Sequence, residues 1–297
     1  MEYLPIVFED TNVYLPRWVI GAGSPHALIV AGVHGREHTG ILVAFRLIER
    51  LRQLNVTGRV EVLPVANPLA YAAGARETPR DGLNLGESFG DAEPRSITQA
   101  MARVIGARAK SAAVILDLHA AGEARYLPHA LFHRADDAQL AASAGLPFAI
   151  LRTKTREGVR VGTLASMLTP QQHGLTLELG GGMTIHPDDV VLGLRAVRTI
   201  LARQGFVADS PDELPPTPPA RVYPSDPRNL IRATHAGAFY PTVALGASVK
   251  SGEELGLVVA FDHLEPVPLD APMAGTVIYL RMRPGVASGE TLAMIIP

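Results

Sequence analysis

The stretch His26-Ala-Leu-Ile-Val-Ala-Gly-Val33, running straight into His34-Gly35-Arg36-Glu37-His38, decides the reading of this chain. A short apolar run of this kind is the pattern of a strand buried on both faces. Directly behind it stand two metal-competent side chains, His34 and Glu37, three apart on the turn that leaves the strand. From Thr39 to Leu54 the period changes, with Ile41, Leu42, Phe45, Leu47, Ile48 and Leu51 at helical spacing. Strand, polar turn and helix make the unit of an α/β fold, in which ligands sit at the carboxyl ends of the strands.

Further apolar runs occur at Val60–Ala66, Ala113–Leu118, Pro147–Leu151 and Leu175–Leu179. They alternate with helical patterns at Ser96–Ala109, Asp137–Ala144 and Pro187–Arg203. The last has Pro187 and two Asp residues at its start, Arg203 in its last turn and Gly205 beyond, as a capped helix should. A mostly parallel sheet covered on both faces is expected. Two of the runs end in chemistry again: Asp117-Leu118-His119, and Leu177-Glu178-Leu179 ahead of Gly180, Gly181 and Gly182.

Composition narrows the chemistry. The 297 residues suit about two domains, with 47% hydrophobic residues, 19% charged residues and a net charge of -2. Lys and Arg are scattered, so no nucleic-acid partner is expected. No apolar stretch reaches the ~20 residues of a membrane span. The N-terminus lacks a basic region followed by an apolar one, so a cytoplasmic protein is expected. With no cysteine in the chain, any metal must be held by histidine and carboxylate.

A catalytic zinc takes three protein ligands and keeps one open position, and two His with one Glu is a standard set. His34 and Glu37 can share one ion, and His119 supplies a third ligand from another strand. Asp117 faces the same side as His119 and can orient a ligand from behind. Glu178 is the candidate general base, because a carboxylate in a buried strand is costly unless it is paired or metal-linked. Taken singly, His34 or His119 reads more readily as a hydrogen-bonded loop histidine than as a ligand, and it is their joint occurrence that favours the metal. His34 to His38 also spells the inverted protease motif HxxEH. That chemistry needs all five residues on one helix, whereas here they follow a strand-like run interrupted by Gly32 and Gly35.

Residues 209–227 break the alternation with seven prolines and read as a stiff, extended linker. Beyond them the pattern is all-β. Val249-Lys-Ser-Gly-Glu-Glu-Leu255 is echoed by Val286-Ala-Ser-Gly-Glu-Thr-Leu292, which fits a small pseudo-symmetric sandwich or barrel, or one turn chemistry used twice.

The motifs HGRE (34–37), NPLAYAAGAR (67–76), PRDGLNL (79–85), DLHAAG (117–122) and LELGGG (177–182) resemble the succinylglutamate desuccinylase/aspartoacylase family, a branch of the zinc carboxypeptidase superfamily. The resemblance implies a carboxypeptidase-like α/β/α sandwich with a mixed sheet over 1–208, the linker, and a small all-β domain over 228–297 that shapes access to the site. It implies one zinc per chain on His34, Glu37 and His119, Glu178 as base, and Arg76 polarising the scissile carbonyl. The implied activity is removal of an N-acyl group from an amino acid or small amine. A carboxypeptidase-like peptidase and a non-catalytic zinc-binding descendant are the alternatives, and homo-oligomers are compatible with all three.

One departure bears on substrate. The family pattern after the Asp-Gly turn reads N-L-N-R, with the second Asn and the Arg gripping a carboxylate, but here Asn84-Leu85 is followed by Gly86 and Glu87. Asn84 remains a candidate substrate ligand. Arg152, Arg156, Arg160 or Arg80 stands in for the missing arginine, or the substrate carries an amine there, or activity is weakened or lost with zinc binding retained. The half-repeats also resemble a biotinyl/lipoyl carrier fold, without a lysine at the expected hairpin tip. From that domain Tyr240 and Tyr279 are candidates to reach the site, with packing as the simpler reading.

Overall fold

The computed structural model describes residues 1–90, 92–152, 163–181, 184–208, 220–260 and 265–297. The chain opens with a hairpin, β1 (Glu2–Phe8) and β2 (Thr11–Gly21), followed by β3 (His26–Ala31), α1 (His38–Leu51), β4 (Arg59–Leu63) and α2 (Pro68–Ala72). Next come α3 (Ile97–Ala109), β5 (Val114–Ala121), the short strands β6 (Ala124–Tyr126) and β7 (His129–Phe132), α4 (Ala138–Ala142), β8 (Phe148–Leu151), β9 (His173–Gly181) and α5 (Pro187–Arg203). The remainder is all-β: β10 (Arg221–Pro224), β11 (Leu230–Arg232), β12 (Gly237–Pro241), β13 (Ser248–Val249), β14 (Glu254–Ala260), β15 (Pro266–Asp270), β16 (Gly275–Arg281), β17 (Gly285–Val286) and β18 (Thr291–Ile296).

The large sheet runs β1-β2-β4-β3-β5-β9-β6-β16-β18-β11. At its centre β4, β3, β5 and β9 are parallel, while the pairings of β2 with β4 and β6 with β9 are antiparallel, so the sheet is mixed. Side-chain alternation divides β3 between two cores. Ala27, Ile29 and Ala31 join α1, α4 and α5 on one face, and Leu28 and Val30 join α3 and the hairpin on the other. Each fully buried Val, Leu or Ile contributes about 1.5–3 kcal/mol. The result is an α/β/α sandwich in which a strand covered on both sides needs apolar residues throughout.

Differences from expectation follow from pairing partners distant in sequence. The first 21 residues, unassigned by periodicity, form the β1–β2 hairpin at the sheet edge. Within the proline-rich stretch, Arg221–Pro224 is a strand that pairs in parallel with β8, and its proline falls at the strand end, where no ladder bond is lost. Residues 209–219 lie outside the described residues. The C-terminal strands are split: β15-β14-β12-β17 form a second antiparallel sheet, whereas β16, β18 and β11 continue the large one through the pairing of Tyr279 with Tyr126. The two half-repeats are matching turns. Glu253 accepts the Lys250 N–H at 2.8 Å and Glu290 accepts the Ala287 N–H at 2.9 Å, each turn joining a two-residue strand to a long one.

Candidate metal centre

Three neighbouring parallel strands deliver the site. β3 runs into the 34–37 turn, which closes on itself when the Glu37 N–H donates to the His34 carbonyl at 3.2 Å. On β5, Asp117 and His119 share the face opposite Leu116 and Leu118. In register, His119 lies beside Glu178 of β9. The inverted-protease geometry is absent, because His34 and Glu37 precede α1. His38 opens that helix on the surface, packed against Tyr71 at 5.9 Å.

His34, Glu37 and His119 offer donor atoms that all lie within 4.8 Å of one another, and all three residues are buried. Both imidazoles turn Nδ1 toward Glu37: His34 Nδ1 is 2.7 Å from Oε1 and His119 Nδ1 is 3.0 Å from Oε2. Their far nitrogens are tied. Asn84 Oδ1, already accepting the Gly86 N–H at 2.8 Å, lies 3.0 Å from His34 Nε2, so that nitrogen must donate. His119 Nε2 lies 3.0 Å from Asp117 Oδ2 and donates to it. With Nε2 donating in both rings, it is the Nδ1 atom of each that faces Glu37; His119 Nδ1 can carry a proton toward Oε2, and on giving it up presents a lone pair inward. Buried His34 Nδ1 approaches Glu37 Oε1 out of line for a well-directed hydrogen bond. Two donor atoms this close, with the ring fixed from behind, fit a cation bound by both. Imidazoles fixed from behind by an amide and a carboxylate are the usual support for such an ion.

The electrostatics point the same way. Burial alone would raise the Glu37 carboxyl, but the His34 and His119 charges overcome it and hold Glu37 far below the usual carboxylate range. Burial likewise opposes charge on His119, and Asp117 with Glu37 reverses that, holding it well above the ordinary histidine range. A site this demanding of positive charge accepts a divalent ion in place of protons. Burial pushes the Glu178 carboxyl up to about 7; the Glu37 charge adds to this, while His119, Arg152 and Arg76 pull it back.

The other expected residues are distributed around this core. Arg76, partly exposed, donates Nη1 to Glu37 Oε1 at 3.1 Å. Arg152 follows β8 and its charge reaches Glu178. Asn84 has its oxygen engaged behind His34, a different placement from a substrate ligand. Arg80 pairs with Asp10 at 2.6 Å. Arg156 and Arg160 lie outside the described residues.

Sequence reasoning passed over Tyr126 and His129. His129 pairs in register with Glu178 from the side opposite His119, and burial pushes its imidazole down to about 4. The Tyr126 ring contacts His129 at 5.2 Å and Tyr279 at 4.9 Å. Tyr279 thus reaches this wall from the C-terminal strands, whereas Tyr240 is exposed.

Residues 24–203 match the family model of the succinylglutamate desuccinylase/aspartoacylase catalytic domain. The N-alpha-acetyl-L-2,4-diaminobutyric acid deacetylase of Halomonas elongata is 31% identical over 313 residues, an alignment covering 98% of this chain and 89% of that protein. Among solved structures, the product-bound ectoine utilization protein EutE (DoeB) from Ruegeria pomeroyi superposes with a TM-score of 0.85 at 24% identity, covering 99% of this chain and 93% of that one. A succinylglutamate desuccinylase/aspartoacylase from Rhodobacter sphaeroides superposes at 0.84 with 25% identity, covering 99% and 92%. The chain belongs to the succinylglutamate desuccinylase/aspartoacylase family. Among the described residues, no helix is long and apolar enough to cross a membrane.

Proposed function

We propose that this protein is a zinc-dependent amidohydrolase that removes an N-acyl group from an amino acid or small amine. The observation that carries the reading is the convergence of His34 Nδ1, Glu37 and His119 Nδ1 on one point, with Glu178 on the adjacent strand. A zinc ion held by these three residues would supply Lewis acidity to water and to the amide carbonyl. Glu178 takes the proton of the attacking water and returns it to the departing nitrogen. A carboxyl lifted toward neutrality by burial suits both halves of that exchange. Arg76, at the mouth of the site, presents its guanidinium to the carbonyl oxygen as negative charge develops there, a contact worth ~3–4 kcal/mol for a single well-placed donor. His and Glu donors also accept manganese, cobalt or nickel, so the donor set alone does not select zinc.

For the substrate we favour an N-acylated amino acid bearing a second, free amine. Glu87, exposed and without an ion pair among the described residues, lines a cleft of about 450 Å³ that stops short of the metal donors and is joined to them through Asn84, the residue that backs His34. A negative wall favours an ammonium group over a second carboxylate. The Halomonas relative is named for a diamino acid, which supports the same direction.

The test is Glu178→Gln. It should retain metal and lose ~10²–10⁴-fold in kcat on N-acetyl diamino acids, the range of a positioned general base. Turnover close to wild type would sink the assignment.

A further inference from the structure

The turn that carries two of the three metal donors is pinned from both sides. On one side Gly35 packs against α2 so closely that a Cβ there would stand 2.0 Å from the Ala70 carbonyl carbon. On the other, Arg36 lies across Gly122, where a Cβ would come within 2.5 Å of the Arg36 Nε. Arg36 Nη1 then donates to Glu123 Oε1 at 2.7 Å, while its buried Nε has no hydrogen-bond partner. Gly122 and Glu123 directly follow β5, whose Ala120 N–H donates to Glu37 Oε2 at 3.2 Å. The Arg36–Glu123 contact therefore bridges the two segments that supply His34 and Glu37 on one hand and His119 on the other.

Glu123 is also the point where the C-terminal strands grip the catalytic region. Its Oε1 accepts Arg283 Nη1 at 2.7 Å and its Oε2 accepts Arg281 Nη2 at 3.0 Å. Its carbonyl accepts the N–H groups of Met282 and Arg283 at 2.9 and 3.0 Å. Arg281 is itself buried and held by Glu290 at 3.3 Å and by the Gly285 carbonyl at 3.1 Å. One carboxylate thus serves three guanidiniums, two of them fixed by β16 and the segment after it.

We propose that Glu123 is a positioning residue for the metal turn, holding Arg36 against the C-terminal strands and so setting the metal affinity of His34, Glu37 and His119. Without its charge, three cations face one another. Arg281 keeps Glu290 and the Gly285 carbonyl, but Arg36 and the exposed Arg283, each anchored among the described residues through Nη1 to Glu123 alone, are then free to move, and the 34–37 turn loses its support on that side. This inference rests on reading the triad as a metal centre.

The test is a zinc titration of the apo protein against a competing chromophoric chelator, for wild type, Glu123→Gln, Arg36→Met and the double variant. Arg36→Met keeps the aliphatic stem over Gly122 and removes the guanidinium with its charge and its bond to Glu123, so it serves should Glu123→Gln fail to fold. Each single variant should weaken zinc by about tenfold, the lower end of what supporting residues around metal ligands contribute. The double variant should lose no more than the worse single one, because both remove the same contact. Unchanged affinity in the single variants, or losses that simply add, would overturn the proposal. So would a lower apo melting temperature with wild-type affinity, the signature of a merely structural role. A wild-type chain that binds no zinc would instead overturn the metal reading itself, and this inference with it.

Discussion

Two buried glutamates flank the centre of the sheet, Glu37 on the turn after β3 and Glu61 on β4, and each faces a histidine. Glu37 closes the carboxyl end, between His34 and His119. Glu61 lies in the middle of β4, fully buried, with Arg17 Nε at 2.7 Å, His26 Nε2 at 3.4 Å and Arg108 Nε at 3.8 Å. Both carboxylates escape the cost of burial by collecting positive charge. They differ in where the charge comes from. Around Glu61 it is covalently part of the chain, in guanidiniums that stay protonated. Around Glu37 it comes chiefly from imidazoles, whose Nδ1 atoms can give up a proton and take a metal, with Arg76 reaching in from a partly exposed position. The first arrangement is a structural tie, and the second is a socket.

Isosteric amides at the two positions should break in opposite ways. Glu37→Gln removes a donor, and metal affinity should fall by more than the ~100-fold that the loss of supporting residues can reach. Its apo melting temperature should move less than that of Glu61→Gln, because His119 relaxes by releasing a proton. Glu61→Gln should leave zinc stoichiometry intact and destabilise the fold by about 3 kcal/mol, since it removes the buried charge that Arg17, His26 and Arg108 share and leaves Arg17 only the exposed Glu2. Calorimetry of the apo proteins beside metal titrations checks both. Equal losses of stability, or metal loss in Glu61→Gln, would erase the distinction.

A smaller, pH-dependent effect sharpens it further. Burial works to raise the Glu61 carboxyl, but His26, Arg17 and Arg108 hold it down at about 2, against 4.5 for an ordinary glutamate. Between those values the unfolded chain binds a proton that the folded chain does not. The stability due to this cluster is therefore complete above about 4.5 and is lost as the pH falls toward 2. Denaturant unfolding across that window should show the gap between wild type and Glu61→Gln closing on the acid side. A gap that stays constant with pH would mean that Glu61 titrates as it does in the unfolded chain.

The same pair explains how far the sequence could be read. His34, Glu37, His119 and Glu178 were legible because each sits where an apolar run ends or is interrupted, and the parallel sheet brings those ends together. Glu61 interrupts an apolar run as plainly as Glu178 does. Whether such a residue finds arginines or an open cleft depends on Arg17 in the hairpin and Arg108 in α3, which no local pattern predicts. The role of Asn84 behind His34 depends on a turn 50 residues away in sequence. Likewise the Tyr126–Tyr279 pairing and the Glu123 network join segments that meet only through long-range strand order. Periodicity carried the α/β elements, and the turn chemistry carried the C-terminal repeats. The continuation of the large sheet into the C-terminal strands was beyond both.

The measurement that tests the account most directly is the metal content of purified wild-type protein and of His119→Ala by elemental mass spectrometry. The account predicts about one zinc per chain in the wild type and its loss in the variant, as three donors converging on one point require. A metal-free wild type, or metal retained without His119, would contradict it.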